Sequence, residues 1–267
     1  MRTFGTYYLP NYDFHIRHNL ELNEWNAIRH RWELTSPTHS QVSLIHLINH
    51  YSDKGWSACD PLDLYRSIPA YSNSRLGSIR NQLLNRTELP SRSVFVFGTA
   101  FHEIVLQPQV VADARDYFLS VSKLETLYAM RKAVTGIDRA IEEMRNGQIE
   151  TVFQWTDAST GLPCKAKVDS VNTDLVYGDR VVYDLKTTSA TDESAFAASI
   201  TDYDYLRQAA FYLDATGADR FLFVGVSKRK PHAYFIVEYF WDDPRIIAAR
   251  KRYQFILRKA KKLGMHP

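Results

Sequence analysis

A chain of 267 residues, 45% hydrophobic and 24% charged, has the size and balance of a folded globular protein, and its composition indicates neither disorder nor a fibrous repeat. Its net charge of +3 does not by itself point to a polyanionic partner, and its 2 cysteines, Cys59 and Cys164, cannot build a disulfide framework or a four-thiolate zinc or iron–sulfur site. With no apolar run of about 18 residues and no apolar stretch behind Met1, no membrane partner and a reducing, cytoplasmic location are expected.

Residues 1–70 are rich in Tyr, Trp, His and Asn, with helical patterns near Leu20–Trp32 and Val42–Tyr51, and are set apart as an N-terminal extension to which no chemistry is assigned. The domain expected to carry the chemistry runs from 71 to 267. It opens with hydroxyls at Ser72 and Ser74 that suit a helix N-cap, followed by Leu76, Ile79, Leu83 and Leu84 at helical spacing, ending near Pro90. A second helix is predicted from Gly98-Thr99 to just before Pro108, and a charged helical stretch from Ser122 to Asn146.

The pattern then changes to short runs of Val, Tyr and Phe. Glu150–Trp155, Cys164–Val171 and Arg180–Leu185 read as a meander of three strands, separated by Asp157-Ala158-Ser159-Thr160-Gly161 and by a turn ending in Gly178-Asp179. A helix from Asp192 to Ala215 closed by Gly217, strands at Phe221–Ser227 and Ala233–Phe240, and a last helix behind Asp242-Asp243-Pro244 complete the order. Helices and strands in this sequence imply an α/β protein with a mixed sheet flanked by helices.

One constellation carries chemistry. Asp169 stands on the second strand of the meander and Asp184-Leu185-Lys186 on the third. Alternation along a strand turns Asp184 and Lys186 to one face and Leu185 into the core. Two hard carboxylates can hold a divalent ion of octahedral oxygen preference, and the Leu185 carbonyl is a further candidate ligand. Lys186, one pleat from Asp184, can orient a water or stabilise a phosphorane.

Asp169 followed by Asp184-Leu185-Lys186 resembles the split signature of the PD-(D/E)xK nucleases, and the order of elements is similar to their αβββαβ core of restriction-endonuclease-like fold. Gly98-Thr99-Ala100-Phe101-His102 resembles the Gly-x-x-x-His element, and Gln208-Ala209-Ala210-Phe211-Tyr212 the Gln-x-x-x-Tyr element, of the branch holding the RecB nuclease domain and phage recombination exonucleases. Asp184-Leu185-Lys186-Thr187-Thr188 with Asp202-Tyr203-Asp204-Tyr205-Leu206-Arg207-Gln208 is most similar to the catalytic domain of exonuclease VIII, the RecE type, over about residues 71–260.

That resemblance implies a magnesium- or manganese-dependent exodeoxyribonuclease. His102, Asp169 and Asp184 would bind the metal, Lys186 would act in catalysis, and Gln208, Tyr212 and Thr187 would support the site or contact DNA. Glu150, at the head of the first strand, is a further candidate for the catalytic centre. The likeness also implies 5′ to 3′ resection of duplex DNA in phage or mobile-element recombination, an oligomer, and a single-strand annealing or other recombination protein as partner. Rival readings are a structure-specific or single-strand endonuclease of the same fold and a non-catalytic DNA-binding scaffold. The last helix, with Arg245, Arg250, Lys251, Arg252, Arg258, Lys259, Lys261 and Lys262 and no acidic residue among them, is the expected track for phosphates, with Arg250, Arg252 and Lys259 foremost.

Overall fold

The computed structural model describes residues 5–7, 65–86, 92–106, 119–134, 139–174 and 178–267; the helices expected near 20–32 and 42–51 lie outside them. In chain order come β1 (Gly5–Tyr7), α1 (Asn73–Leu83), α2 (Arg92–Leu106), α3 (Val121–Val134), α4 (Arg139–Asn146), β2 (Gln148–Thr156), β3 (Pro163–Thr173) and β4 (Arg180–Thr188). Then follow α5 (Glu193–Asp202), α6 (Tyr205–Thr216), β5 (Arg220–Ser227), β6 (Tyr234–Phe240) and α7 (Pro244–Lys262). The αβββαβ order is present, and it is set by local chemistry. Ser72 caps α1 by accepting from Arg75 N–H, Asp192 caps α5 through Ala195 N–H, and Asp243 caps α7 through Arg245 N–H with Pro244 in the first turn.

Three expected helices differ. The second begins at Arg92, well before Gly98, and its buried stripe of Phe97, Ala100, Phe101, Ile104 and Val105 starts one residue ahead of that glycine. The stretch from 122 to 146 is two helices, one ending at Val134 and the next starting at Arg139. The span from 192 to 215 is broken at Tyr203-Asp204: continuing the buried positions Phe196 and Ile200 by four more residues would bring Asp204 against the sheet, and Asp204 instead takes a left-handed φ of 58°. Leu83 and Leu84, expected on the apolar stripe, stand exposed at the end of α1.

The strands form a single sheet in the order β1-β2-β3-β4-β5-β6. All neighbours are antiparallel except β4 and β5, which are parallel and joined over the sheet by α5 and α6. One face, with Val182, Phe221 and Phe223, packs against α1, α5, α6 and α7. The other, with Val181, Tyr183, Leu185, Val224 and Val226, packs against α2, α3 and α4. Two irregularities open the sheet at one point. The β3–β4 ladder stops at Ser170↔Tyr183, the pair next to Asp169 and Asp184, and the β2–β3 ladder skips Glu150, whose φ is 53°. Backbone groups freed there are available to side chains.

Candidate metal centre and active site

Helix α2 lies under the opening and brings His102 to it, while β2 and β3 bring Glu150 and Asp169. Potential ligand atoms of His102, Glu150 and Asp169 all fall within 4.8 Å of one another, the one such group among the described residues. His102 Nδ1 is 3.3 Å from Asp169 Oδ2, and the same oxygen accepts the Leu185 N–H at 2.8 Å, a donor that β3 would have taken had the ladder continued. Glu150 is ion-paired to Lys167, two residues before Asp169 on β3.

Asp184 and Lys186 point to the face covered by α5 and α6, with Leu185 wholly buried on the other, as alternation predicts. Asp184 is 1% exposed, whereas His102 and Asp169 keep 23% and 15% of their side chains open, so the centre is approached from the Asp169 side. Asp184 Oδ1 accepts Gln208 Nε2 at 2.6 Å; Tyr212, one helical turn on, bonds to Gln208 in turn. Asp184 Oδ2 is in ion-pair contact with Lys186 Nζ. The Lys186 ammonium lies 4.9 Å from the centre of the Tyr205 ring. The parallel register sets Lys186 beside Gly225, where a Cβ would come within 2.5 Å of the Phe196 ring, so a side chain there would collide with the helix layer behind the lysine.

Burial drives the Asp184 carboxyl up to about 6, with Asp169 pushing the same way and Lys186 and His102 opposing. Burial also works to raise Asp169, but His102, Lys186 and the Leu185 N–H outweigh it and hold that carboxyl below its ordinary value. His102 is raised and Lys186 is raised, burial in each case being overcome by the facing aspartates. Two neighbouring carboxyls pushed in opposite directions mark a site organised around charge.

A divalent cation fits this arrangement. An imidazole nitrogen and carboxylate oxygens are its natural donors, and the buried Asp184 carboxylate beside them, paired with Lys186, adds a further anionic oxygen. His102, Glu150 and Asp169 form the compact group; Asp184, expected beside His102 and Asp169, stands next to it, held by Lys186 and Gln208. Thr187 follows Lys186 on β4, half-buried.

The basic residues of α7 lie apart from this centre, on a helix packed against α6 and α1. Arg250 Nε bonds both carboxylate oxygens of Asp214, at 2.9 and 2.8 Å, and the guanidinium reaches the Trp241 carbonyl. Arg252 is half exposed and 3.7 Å from Asp204, and Lys259 lies over the Phe255 ring. Sequence reasoning passed over Lys167 and Tyr205. The first had a signal, a lysine one pleat from Asp169; the second lay within the segment Asp202–Gln208, but its place beside Lys186 comes from the packing of α6.

A family model described as a PDDEXK-like domain of unknown function (DUF3799) matches residues 80–263. Among solved structures, the chain is similar to a Eubacterium rectale protein carrying an exonuclease designation, at 16% identity and a TM-score of 0.52 over 71% of this chain and 80% of that one. At that identity the likeness speaks for the fold alone. Two others, SSO0001 (12% identity, 68% and 84% covered, TM-score 0.32) and LHK-Exo with dAMP (14%, 64% and 93%, 0.26), superpose too loosely to carry an argument. No curated protein matches.

Proposed function

The chain belongs to the PDDEXK-like domain family, whose matched span 80–263 contains every residue of the centre, and from that premise we propose that it is a metal-dependent deoxyribonuclease hydrolysing DNA phosphodiesters. The observation that carries this reading is the convergence of His102, Glu150 and Asp169 within 4.8 Å at the point where two strands part beside Asp184 and Lys186.

His102, Glu150, Asp169 and Asp184 would hold a magnesium or manganese ion, with the Leu185 carbonyl available as a further ligand. When bound, the ion supplies Lewis acidity and offsets the charge of the phosphodiester. Lys186 keeps its proton at Nζ because two aspartates face it, so an ammonium meets the phosphate and steadies the charge that builds as water attacks phosphorus and a P–O bond breaks. Gln208 fixes the Asp184 carboxylate and Tyr212 fixes Gln208. Thr187, Gln208, Tyr212, Arg252 and Lys259 contact DNA, and Arg250 serves that surface by tying α7 to α6 through Asp214.

Its resemblance to exonuclease VIII supports a finer reading. The enzyme is a 5′ to 3′ double-strand exonuclease of phage or mobile-element recombination, acting in the cytoplasm, as a homo-oligomer, beside a single-strand annealing protein, with its catalytic domain at 71–267. No helix among the described residues is long and apolar enough to cross a membrane. End-labelled linear duplex and covalently closed circles, each incubated with magnesium and with chelator, test the proposal. Loss of the linear form alone, stopped by chelator, is expected. Cutting of circles would make it an endonuclease, and no cutting of either would overturn the reading.

A further inference from the structure

Asp204 stands between α5 and α6 and makes no side-chain cap to α6. Three guanidinium groups face its carboxylate. Arg80 of α1 donates to Oδ2 at 2.6 Å, Arg207 of α6 donates to the same oxygen at 2.8 Å, and Arg252 of α7 lies 3.7 Å from Oδ1. A single carboxylate cannot neutralise three arginines, so net positive charge remains where the uncapped start of α6 adds its own dipole.

The arginines are not alike. Arg207 is buried and locked, donating also to the Asn73 carbonyl at 2.8 Å. Arg80 is about a third exposed, and its Nε is buried without a hydrogen-bond partner; Arg252 leaves 51% of its side chain in solvent. Tyr203, the residue before Asp204, is 67% exposed. Its ring lies 5.6 Å from that of Tyr205, over which Lys186 Nζ sits at 4.9 Å. Basic cluster, exposed aromatic ring and active-site lysine thus follow one another in short steps.

We propose that Arg80 and Arg252, with Arg207 holding Asp204 between them, form a subsite for one backbone phosphate of a nucleic-acid strand, and that Tyr203 stacks on the adjoining base. Guanidinium forks suit a phosphodiester, which offers two oxygens and one negative charge. An exposed ring beside them suits a base and has nothing to offer a free phosphate ion. The subsite deepens the nuclease reading, by setting where the strand lies relative to Lys186, but binding there requires no hydrolysis.

The test uses the full chain in EDTA, with a fluorescein-labelled DNA duplex bearing a single-stranded overhang, and follows anisotropy against sodium chloride. Arg252→Gln and Arg80→Gln should each weaken binding about fivefold and flatten the log K against log salt slope by about 0.7 to 1. Tyr203→Ala should weaken binding about tenfold and leave that slope unchanged. Lys132→Gln, on an exposed position of α3 across the sheet from α1, α6 and α7, is the control and should change affinity less than about twofold. Arg252 is exposed enough for its replacement to leave the fold intact, so unchanged affinity and slope in Arg252→Gln overturn the inference. So does an equal loss in the control, or a wild type that binds no DNA. A site for free phosphate would leave Tyr203→Ala without effect, which also contradicts the proposal. Cleavage by the same samples in magnesium is read separately: binding losses without any wild-type cleavage sink the nuclease reading and leave the subsite standing.

Discussion

Asp184 is the residue on which most forces meet. Burial raises its carboxyl to about 6 from an ordinary 3.8, so the folded chain holds a proton there that the unfolded chain releases. Between those values the native state binds more protons, and metal-free stability contributed by this group falls as pH rises from about 4 to about 6, then stays level. Asp184→Asn removes that dependence: thermal melts in EDTA should show the variant gaining on the wild type across this window by on the order of 2 kcal/mol. Gln208→Ala takes away the 2.6 Å hydrogen bond and leaves Asp184 Oδ1 buried without its partner. It should cut kcat/KM by about 10- to 100-fold on linear duplex while a circular dichroism spectrum stays native. Asp169, Asp184 and Lys186 were legible in the sequence because strand alternation fixes which of them share a face. The grouping of Glu150 with His102 and Asp169 was only half legible, since it depends on a left-handed residue that skips a ladder position.

Among the elements, β3 shows how the scaffold is fastened. Lys165 is buried and donates to the carbonyls of Tyr65 at 2.8 Å, Arg66 at 3.1 Å and Ile68 at 2.7 Å, tying the segment before α1 to the strand that carries Lys167 and Asp169. Lys165→Ala strands those carbonyls and should cost about 3 kcal/mol, read as a lowered urea midpoint. Gly225→Ala drives a methyl group to within 2.5 Å of Phe196 behind Lys186, and should cost about 1 to 3 kcal/mol in the same assay. Helix starts at Ser72, Asp192 and Asp243 were readable because capping is local chemistry. The break at Asp204 was not, because the arginines that engage it come from α1, α6 and α7.

For the molecule as a whole, the order of helices and strands was enough to give a mixed sheet with helices on both faces, and the parallel β4–β5 pair is what places Asp184 and Lys186 at its centre. The charge of the last helix was visible, but its division of labour was not: Arg250 is engaged by Asp214, while Arg252 faces solvent. Function rests on the centre at which β3 and β4 part, and the decisive measurement is hydrolysis of end-labelled linear duplex by the wild type, Asp169→Asn and Lys186→Ala, in magnesium and in EDTA. Cleavage by the wild type in magnesium, abolished by EDTA and reduced at least about 1,000-fold by either substitution, is predicted. Cleavage that survives chelation, or variants that cut at the wild-type rate, would contradict it.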